Sequence, residues 1–430
     1  MNKHFIQIRR GGVKTIIKKL RSFFYLLLQL PIYLISIPLI IILRLIKPWY
    51  LIRWEELISG RIGHFSLNTE LYCCERDARI NSPSQKHLDL FYMKKYVCNK
   101  QLEKMWRRSL IILPAWLLRP LSRVNRFFCL FISSFREHEI GYPNIDRDVH
   151  NLMDKLPAHI SFTNKEELKG KEILKKFGLT KNEKFVCLIV RDSSYLNRYI
   201  RDEYMDERWQ YHNYRDVDID KYILAAEELA RRGYYVFRMG VIVEKPLKSS
   251  NPKVIDYANS DMRSDFMDIY LSANCFFCIT TGSGLDGVSA VFRKPKANVS
   301  LVPLASAPMD YKENLVLTKH HINKRNQKEL TISEIFSANV GLAFHAEKYE
   351  LNDVELKENT PEEIKDIVIE MDERLRGGWK ETKEDLLLQK RFWEIFNNNI
   401  KKLNLGKPLH GKIKSRFGAK FLRENQNWIK

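Results

Sequence analysis

Polar residues that could bind a phosphate group follow each apolar, β-branched run in the C-terminal half of the chain. These runs cover 185–190, 234–239, 254–257 and 275–279, and the polar residues at or after their ends are Arg191, Asp192, Tyr195, Arg238, Gly240, Asp256, Thr281, Gly282, Ser283 and Gly284. Parallel strands end at one edge of their sheet, where ligands bind in open α/β folds. Because fixed cations, hydroxyls and backbone N–H groups all bind phosphate oxygens, the sequence predicts a diphosphate site at this edge. Asp256 lies where a nucleotide base or ribose could be bound, and a surface loop is an equal alternative there.

The turn Thr280-Thr281-Gly282-Ser283-Gly284 is the sharpest of these motifs. Its glycines would let the backbone approach a phosphate closely, and a helix predicted from Gly284 would offer unpaired N–H groups. The turn lacks the lysine of a P-loop and does not fit the GxGxxG pattern of dinucleotide sites. Taken alone, it is typical of an ordinary strand-to-helix turn. The arginines expected nearby favour the phosphate-binding interpretation.

The first part of the chain contains two candidates for a general base. A strand over 56–60, a glycine-containing loop over 61–64 and a helix from Ser66 or Asn68 onward are predicted there. Transfer of a group to a hydroxyl requires a histidine or carboxylate base, so we take His64 and Glu70 as catalytic candidates. Both residue types also occur as ordinary surface or capping residues. A polar loop over 212–216 is either a substrate-binding loop or a solvated one.

The predicted elements that position these residues alternate between strands and helices from residue 184 onward. Such alternation indicates a parallel, doubly wound sheet. Together with the strand–loop–helix unit near Gly60, it predicts an α/β fold with two Rossmann-like domains. The predicted segments are a basic N-terminus with a membrane segment (1–50), an acceptor-side domain (51–178), a nucleotide-binding domain (179–378), and a C-terminal helix with a basic tail (379–430).

An uncharged stretch at 23–43 predicts an N-terminal membrane-anchoring helix, because it is long enough to cross a bilayer. Pro31 and Pro38 favour a kink, and cations flank both ends, so either a spanning or a re-entrant helix is consistent with the pattern. We expect a chain without residues 1–47 to leave the membrane and keep its fold. A second apolar stretch at 109–135 contains three arginines and either lies in the headgroup layer or packs inside the N-terminal domain.

The formal net charge of +20 indicates a polyanionic neighbour. Because the basic residues are concentrated beside the apolar stretch and in the C-terminal tail, an anionic membrane surface is favoured over nucleic acid, for which no zinc-finger or RNP-like motif is present. The seven cysteines include one CxxC pair, Cys275 and Cys278, without the second pair of a zinc site. We therefore expect free buried thiols, no metal site and no cofactor.

Several segments in this order resemble a known family. They are R61-I-G-H-F-S-L-N-T-E70, V190-R-D-S-S-Y-L196, H212-N-Y-R-D216, R238-M-G240, S264-D-F-M-D-I-Y270, T281-G-S-G-L285 and E358-N-T-P-E-E-I364. The family is the glycosyltransferases of bacterial surface-polysaccharide gene clusters, and the strand–TGSG–helix layout is also similar to heptosyltransferases and O-fucosyltransferase-like enzymes. The resemblance implies a GT-B fold whose C-terminal half binds the nucleotide-sugar donor and whose N-terminal half binds the acceptor.

The same resemblance implies an activity, the transfer of a sugar in bacterial surface-polysaccharide synthesis. The basic, apolar N-terminus is not part of the resemblance and predicts the location: a membrane-associated glycan or lipid-linked acceptor, with catalytic domains that face the cytoplasm at the cytoplasmic membrane. Heptosyltransferases have a carboxylate where this chain has His64, which leaves the identity of the base open. Because no Asp-x-Asp motif follows an apolar strand, a metal-independent reaction is favoured. A non-catalytic, membrane-attached scaffold in polysaccharide assembly is the alternative.

Overall fold

The computed structural model describes residues 3–142, 144–145, 147–194, 210–306 and 311–430. Tyr195, one of the predicted phosphate-binding residues, lies outside these ranges.

The described residues form eleven strands and thirteen α-helices, joined by short helical turns. The strands are β1 (Leu51–Leu57), β2 (His87–Met93), β3 (Phe185–Ile189), β4 (Tyr235–Arg238), β5 (Val254–Ile255), β6 (Cys278–Thr280), β7 (Lys296–Leu301), β8 (Leu315–Thr318), β9 (His320–Asn323), β10 (Val354–Lys357) and β11 (Arg416–Phe417). The helices are α1 (Lys3–Ile46), α2 (Thr69–Asp77), α3 (Lys100–Ser109), α4 (Ala115–Phe128), α5 (Asn164–Lys176), α6 (Ile223–Arg231), α7 (Asp265–Asn274), α8 (Asp286–Val291), α9 (Ile332–Ser337), α10 (Ala346–Leu351), α11 (Pro361–Arg376), α12 (Lys383–Lys402) and α13 (Ala419–Glu424).

The C-terminal half is built on a seven-stranded sheet, which confirms the predicted α/β fold with a parallel sheet. Its strand order is β11-β8-β7-β6-β3-β4-β5, and every neighbouring pair is parallel. All five residues of β3 are buried, as expected for a central strand covered by helices on both faces. The chain winds outward in one direction from β3 to β5 and in the other from β6 to β8. The switch point of the fold therefore lies between β3 and β6.

Local sequence signals account for several helix ends. Ser264 caps α7 by accepting a hydrogen bond from the backbone N–H of Met267. Thr360 caps α11 in a capping box with Glu363, and Pro361 occupies the first turn. The same helix ends at Gly377 in the left-handed conformation, which glycine adopts without a steric penalty. These signals are local, so they were readable without tertiary information.

The N-terminal half differs from the prediction. Within the described residues its sheet has two parallel strands, β1 and β2, extended only by single bridges from Trp54 to Glu139 and from Phe91 to Ile112. β1 also begins at Leu51, before the strand predicted over 56–60. Within the described residues, the sheet of the N-terminal half is therefore much smaller than that of the C-terminal half. Within the apolar stretch at 109–135, residues Ala115–Phe128 form helix α4, whose apolar positions recur at helical spacing.

The long N-terminal helix α1 is interrupted at Gly12, whose backbone is non-helical, and contains Pro31 and Pro38. Towards its end, Ile40 is completely buried in a cluster with Trp54 of β1 and with Leu118 and Leu121 of α4. Within the described residues, no helix combines the length and the apolar character needed to cross a membrane.

The two halves share hydrophobic core. One cluster joins Phe65 and Phe91 of the N-terminal half to Phe237, Met267 and Leu285 of the C-terminal half. A second core, on the other face of the large sheet, includes aromatic residues from the predicted C-terminal segment 379–430, namely Phe392, Phe417 and Trp428. That segment contributes the edge strand β11 to the sheet. Its residues are therefore part of the C-terminal half and not an appended tail.

Candidate functional site

A cleft of about 420 Å³ lies between the first loop of the N-terminal half and the carboxyl edge of the large sheet. It opens at the switch point between β3 and β6, where open parallel sheets bind their ligands. Both halves of the chain contribute to its walls, which are formed by residues 61–64, Leu67, Cys98, Asn99, 189–192, His212, Arg215, 239–243, Asp268 and 282–287. Of the predicted site residues, this lining includes His64, Arg191, Asp192, Gly240, Gly282, Ser283 and Gly284.

Arg191 follows β3 and is the predicted arginine that reaches the cleft. Its backbone N–H donates to Oγ1 of Thr281 at 3.0 Å, which ties the end of β3 to the turn after β6. Its guanidinium Nε donates to Oδ1 of Asp216 at 3.2 Å. Burial and the positive charge of Arg215 lower the pKa of Arg191 from its usual value. Arg191 is therefore a positioned cation on the cleft wall, beside a second cation.

That second cation, Arg215, was not chosen as a phosphate ligand from the sequence. It lines the cleft, and its Nη2 donates to the backbone carbonyl of Gly282 in the turn after β6. Arg215 lies in the loop over 212–216, far along the chain from any strand end. The sequence analysis selected polar residues that directly follow strands, so it did not select Arg215. The only sequence signal was its place in a long polar loop between β3 and α6.

Arg238 occupies a different place from the one predicted. Its side chain is 1% exposed and lies outside the cleft lining. Its guanidinium pairs with Asp256 at 3.4 Å and with Asp192 at 3.7 Å. The structure therefore corrects the assignment of Arg238 and Asp256 as direct phosphate or nucleotide contacts. The last residue of a strand can point to either face, and β4 turns Arg238 inward to hold two carboxylates behind the cleft wall.

Asp192 connects this buried pair to the cleft. One of its carboxylate oxygens accepts a hydrogen bond from the N–H of Ser194 at 2.9 Å, and the other accepts from the N–H of Glu244 at 3.0 Å. Glu244 belongs to the loop after β4 that also contains Gly240. Asp192 therefore joins the loops that follow two neighbouring strands, and its carboxylate is engaged by backbone donors.

The turn after β6 forms one wall of the cleft, with Gly282, Ser283 and Gly284 in the lining. The hydroxyl of Thr280 accepts from the N–H of Gly282 at 3.1 Å and donates to Asp286 at 2.8 Å, which holds the turn against the start of α8. Thr281 is 2% exposed and supports the turn through Arg191. The predicted helix from Gly284 begins at Asp286 and has six residues.

Glycines on both sides of the cleft allow the two halves to pack closely. A Cβ atom on Gly63 would lie 2.9 Å from Cα of Gly284, and a Cβ on Gly287 would lie 2.9 Å from Oγ of Ser66. The backbone of Gly284 cannot move aside easily, so the contact excludes a side chain at Gly63. At Gly284 itself a Cβ would lie 3.2 Å from N of Gly63, a tight contact, and the sequence did not reveal this packing.

His64 lines the cleft from the N-terminal half. It is the first residue of a π-helical turn, His64–Asn68, that leads into α2. Such turns are rare and occur frequently at functional sites. Nδ1 of His64 is buried and has no hydrogen-bond partner among the described residues. His64 therefore lines the cleft, while its Nδ1 is shielded from solvent.

Glu70, the other candidate base, lies outside the cleft lining. It is completely buried, and its Oε1 accepts from Nδ1 of His159 at 3.1 Å and from Nη2 of Arg293 at 2.5 Å. Glu70, Cys74 and His159 have the donor types of a metal site, but the Arg293 guanidinium already contacts both Glu70 and Cys74. The structure therefore corrects the assignment of Glu70 as a base and makes it a buried link between α2 and the loop after α8.

The cleft is electropositive at the end formed by the 212–216 loop. Burial, followed by the charges of Arg191, Arg215 and Arg61, lowers the pKa of His212 to about 4. Behind this end, burial lowers the pKa of Lys319 to about 8, and its Nζ donates to the carbonyl of Asp216 at 2.7 Å. An anionic ligand is the natural complement of these charges. At the opposite side, Asp268 is bound by Tyr257 and Arg263.

Two solved structures are similar to this chain in three dimensions. One is a glycosyl transferase of family 9 from Veillonella parvula DSM 2008, with 12% sequence identity, a TM-score of 0.34, and coverage of 58% of this chain and 79% of that chain. The other is the ADP-heptose lps heptosyltransferase II of E. coli, with 14% identity, a TM-score of 0.32, and coverage of 57% and 84%. Both are glycosyltransferases. No protein-family model and no curated protein sequence matches the chain.

Proposed function

We propose that this protein is a metal-independent, GT-B-like glycosyltransferase that binds a nucleotide-sugar donor in the cleft. The observation that carries the proposal is the convergence of Arg191, Arg215 and the turn 282–284 on one wall, with His64 on the opposite half. The cleft volume of about 420 Å³ is within the ordinary range for a small-molecule site, roughly 300–1,000 Å³.

In this proposal the two arginines bind the diphosphate of the donor. Charge-assisted hydrogen bonds from their guanidinium groups would strengthen as negative charge develops on the departing nucleoside diphosphate. The backbone and hydroxyl of Ser283 would add neutral donors. Because two fixed cations stand at this wall, the leaving group would be stabilised by side chains of the protein itself.

His64 is the proposed general base. The acceptor hydroxyl would attack the anomeric carbon as His64 removes its proton, while the bond between that carbon and the diphosphate breaks. The place of His64 in the cleft lining, on the opposite half from Arg191 and the turn 282–284, supports this role. Glu70 takes no part in the proposed step, because Arg293 and His159 engage its carboxylate.

The proposed acceptor is a glycan or lipid-linked molecule at the cytoplasmic face of the membrane, as in bacterial surface-polysaccharide synthesis. The sequence before Glu55 supports this location, because it contains many cations and the apolar segment 23–43 but no acidic residue. An anionic membrane surface would attract such a segment. A protein held there would meet acceptors that are themselves bound to the membrane.

Calorimetric titration of the full-length protein with common nucleoside diphosphates and nucleotide sugars tests the proposal. Arg191→Ala should weaken binding about ten- to a hundredfold, the effect of losing about 1.5–3 kcal/mol of a charged hydrogen bond. Arg231→Ala is the matched control, because Arg231 is on the surface of α6 and pairs with Glu228 of the same helix. If the parent binds no nucleotide or nucleotide sugar, the proposal fails and the non-catalytic scaffold becomes the leading interpretation.

A further inference from the structure

Helix α4 and the turn that follows it expose a set of large apolar side chains. The most prominent are Trp116 (67% exposed), Phe127 (59%), Leu130 (76%) and Phe131 (73%). We call these four residues the α4 face. Single exposed apolar residues are normal on protein surfaces, but aromatic and leucine side chains gathered on one short segment mark an interaction site.

The α4 face lies beside α1. The opposite side of α4 contributes Leu118 and Leu121 to the cluster around Ile40 of α1, and Arg123 of α4 donates to the hydroxyl of Tyr33. The two helices are thus neighbours that share a buried seam. Away from that seam, α1 exposes further apolar residues, among them Leu34, Ile35, Ile42 and Leu45.

The charge of both segments is positive. From Arg107 to Arg136, both included, the chain has six arginines and no acidic residue. Arg126, next to Phe127, is 57% exposed even though it pairs with Glu139. Tryptophan and phenylalanine beside arginines suit the boundary between lipid headgroups and acyl chains, and the arginines favour anionic lipids.

We infer that the α4 face and the exposed side of α1 dock together on the surface of an anionic bilayer. This inference rests on the membrane location in the proposed function and deepens it by adding the α4 face, which lies outside the N-terminal segment. Because Ile40 packs one side of α1 against the domain, only the other side of this part of α1 can contact lipid. A second copy of the chain fits the face less well, since pairing two such faces would bring arginines against arginines.

Flotation of the full-length protein with vesicles tests the inference. The variant Phe127→Ser/Leu130→Ser/Phe131→Ser should bind phosphatidylglycerol-containing vesicles at least about tenfold more weakly, because each lost side chain removes apolar area from the bilayer contact. A matched control replaces Leu168, Leu351 and Leu386, which are 63%, 68% and 52% exposed elsewhere on the surface, with serine. The control should float like the parent, and vesicles of phosphatidylcholine alone should bind the parent more weakly.

Thermal unfolding of both triple variants should remain close to that of the parent, since all six positions are solvent-exposed. Equal flotation of the α4 variant and the parent would overturn the inference. The inference would also be overturned if the parent did not bind vesicles and was instead a dimer that the α4 substitutions convert to a monomer. In that case the face binds a second copy of the chain. Nucleotide titration of the same proteins distinguishes the two proposals. An α4 variant that loses vesicle binding but still binds nucleotide supports docking. A parent that binds vesicles but no nucleotide refutes only the proposed activity.

Discussion

At the scale of single residues, the charges around the cleft divide into those that face it and those that hold its wall. Arg191 and Arg215 line the cavity, whereas Arg238 lies behind it between Asp192 and Asp256. Removing a facing cation should affect ligand binding, and removing a holding cation should affect stability first. Substitutions separate these two roles.

Arg238→Met should lower the free energy of unfolding by about 3 kcal/mol, because it leaves two partly buried carboxylates without their cation. Urea denaturation followed by circular dichroism measures the change. Arg231→Met, on the exposed surface of α6, should cost far less. A fully stable Arg238→Met protein that no longer binds nucleotide would instead show that Arg238 contacts the ligand.

Gly63→Ala should disturb the contact between the halves, because the new Cβ would lie 2.9 Å from Cα of Gly284. We expect about 1–3 kcal/mol of destabilisation, as for overpacking elsewhere, and weaker nucleotide binding as the cleft walls separate. Gly60→Ala is the control in the same loop, since its Cβ would meet nothing nearer than 3.8 Å. If both alanine variants have the same free energy of unfolding and the same nucleotide affinity as the parent, the close glycine contact has no role in shaping the cleft.

At the scale of elements, Glu70 of α2, His159 before α5 and Arg293 after α8 link segments far apart in the chain. The hydrogen bond from His159 to Glu70 raises the pKa of His159 in the folded protein. A raised folded pKa contributes stability that is fully present below the unfolded pKa, about 6.5, and is lost as pH rises through the folded value. The link is therefore strongest in mildly acidic solution.

His159→Gln should accordingly destabilise the protein most at acidic pH. The difference in urea midpoint between the parent and this variant should be largest below about pH 6.5 and shrink as pH increases past the raised pKa of His159. Measurements from pH 5 to pH 9 would show this trend. A pH-independent difference would mean that His159 acts through packing or as a neutral donor only. His150→Gln, at another histidine of the same connecting segment, serves as the control.

At the scale of the whole molecule, the N-terminal helix belongs to the fold as well as to the proposed membrane contact. Ile40 is completely buried against Trp54, Leu118 and Leu121. In addition, Arg44 pairs with Glu137 at 3.6 Å. This packing revises the expectation that the chain keeps its fold after removal of residues 1–47, because the deletion would expose the apolar side of α4 and β1.

Two truncations test this point. A chain without residues 1–30 should unfold at nearly the same temperature as the parent, because it retains Tyr33, Ile40 and Arg44. A chain without residues 1–47 should unfold several degrees lower, since a buried isoleucine alone contributes about 2–5 kcal/mol. Differential scanning calorimetry in detergent compares them. Identical midpoints for the two truncations would mean that the end of α1 adds nothing to stability.

The sequence by itself determined the features that depend on neighbours along the chain. The β-branched runs predicted the parallel sheet, and the caps at Ser264, Thr360 and Gly377 follow from local hydrogen bonding and backbone preference. Their positions directly after predicted strands also selected Arg191 and the turn 282–284, which line the cleft.

Only the tertiary structure decided which polar residues share a cavity. Whether Arg238 points into the cleft depends on the side of the sheet it faces, and burial turned it towards Asp192 and Asp256. Glu70 is held by Arg293, 223 positions away, and no local pattern reports such a pair. Arg215 reaches Gly282 through the path of a long loop, and Gly284 meets Gly63 across the two halves. These contacts join residues that are far apart in the chain and meet only when it folds. The composition and spacing of a short segment therefore do not predict them.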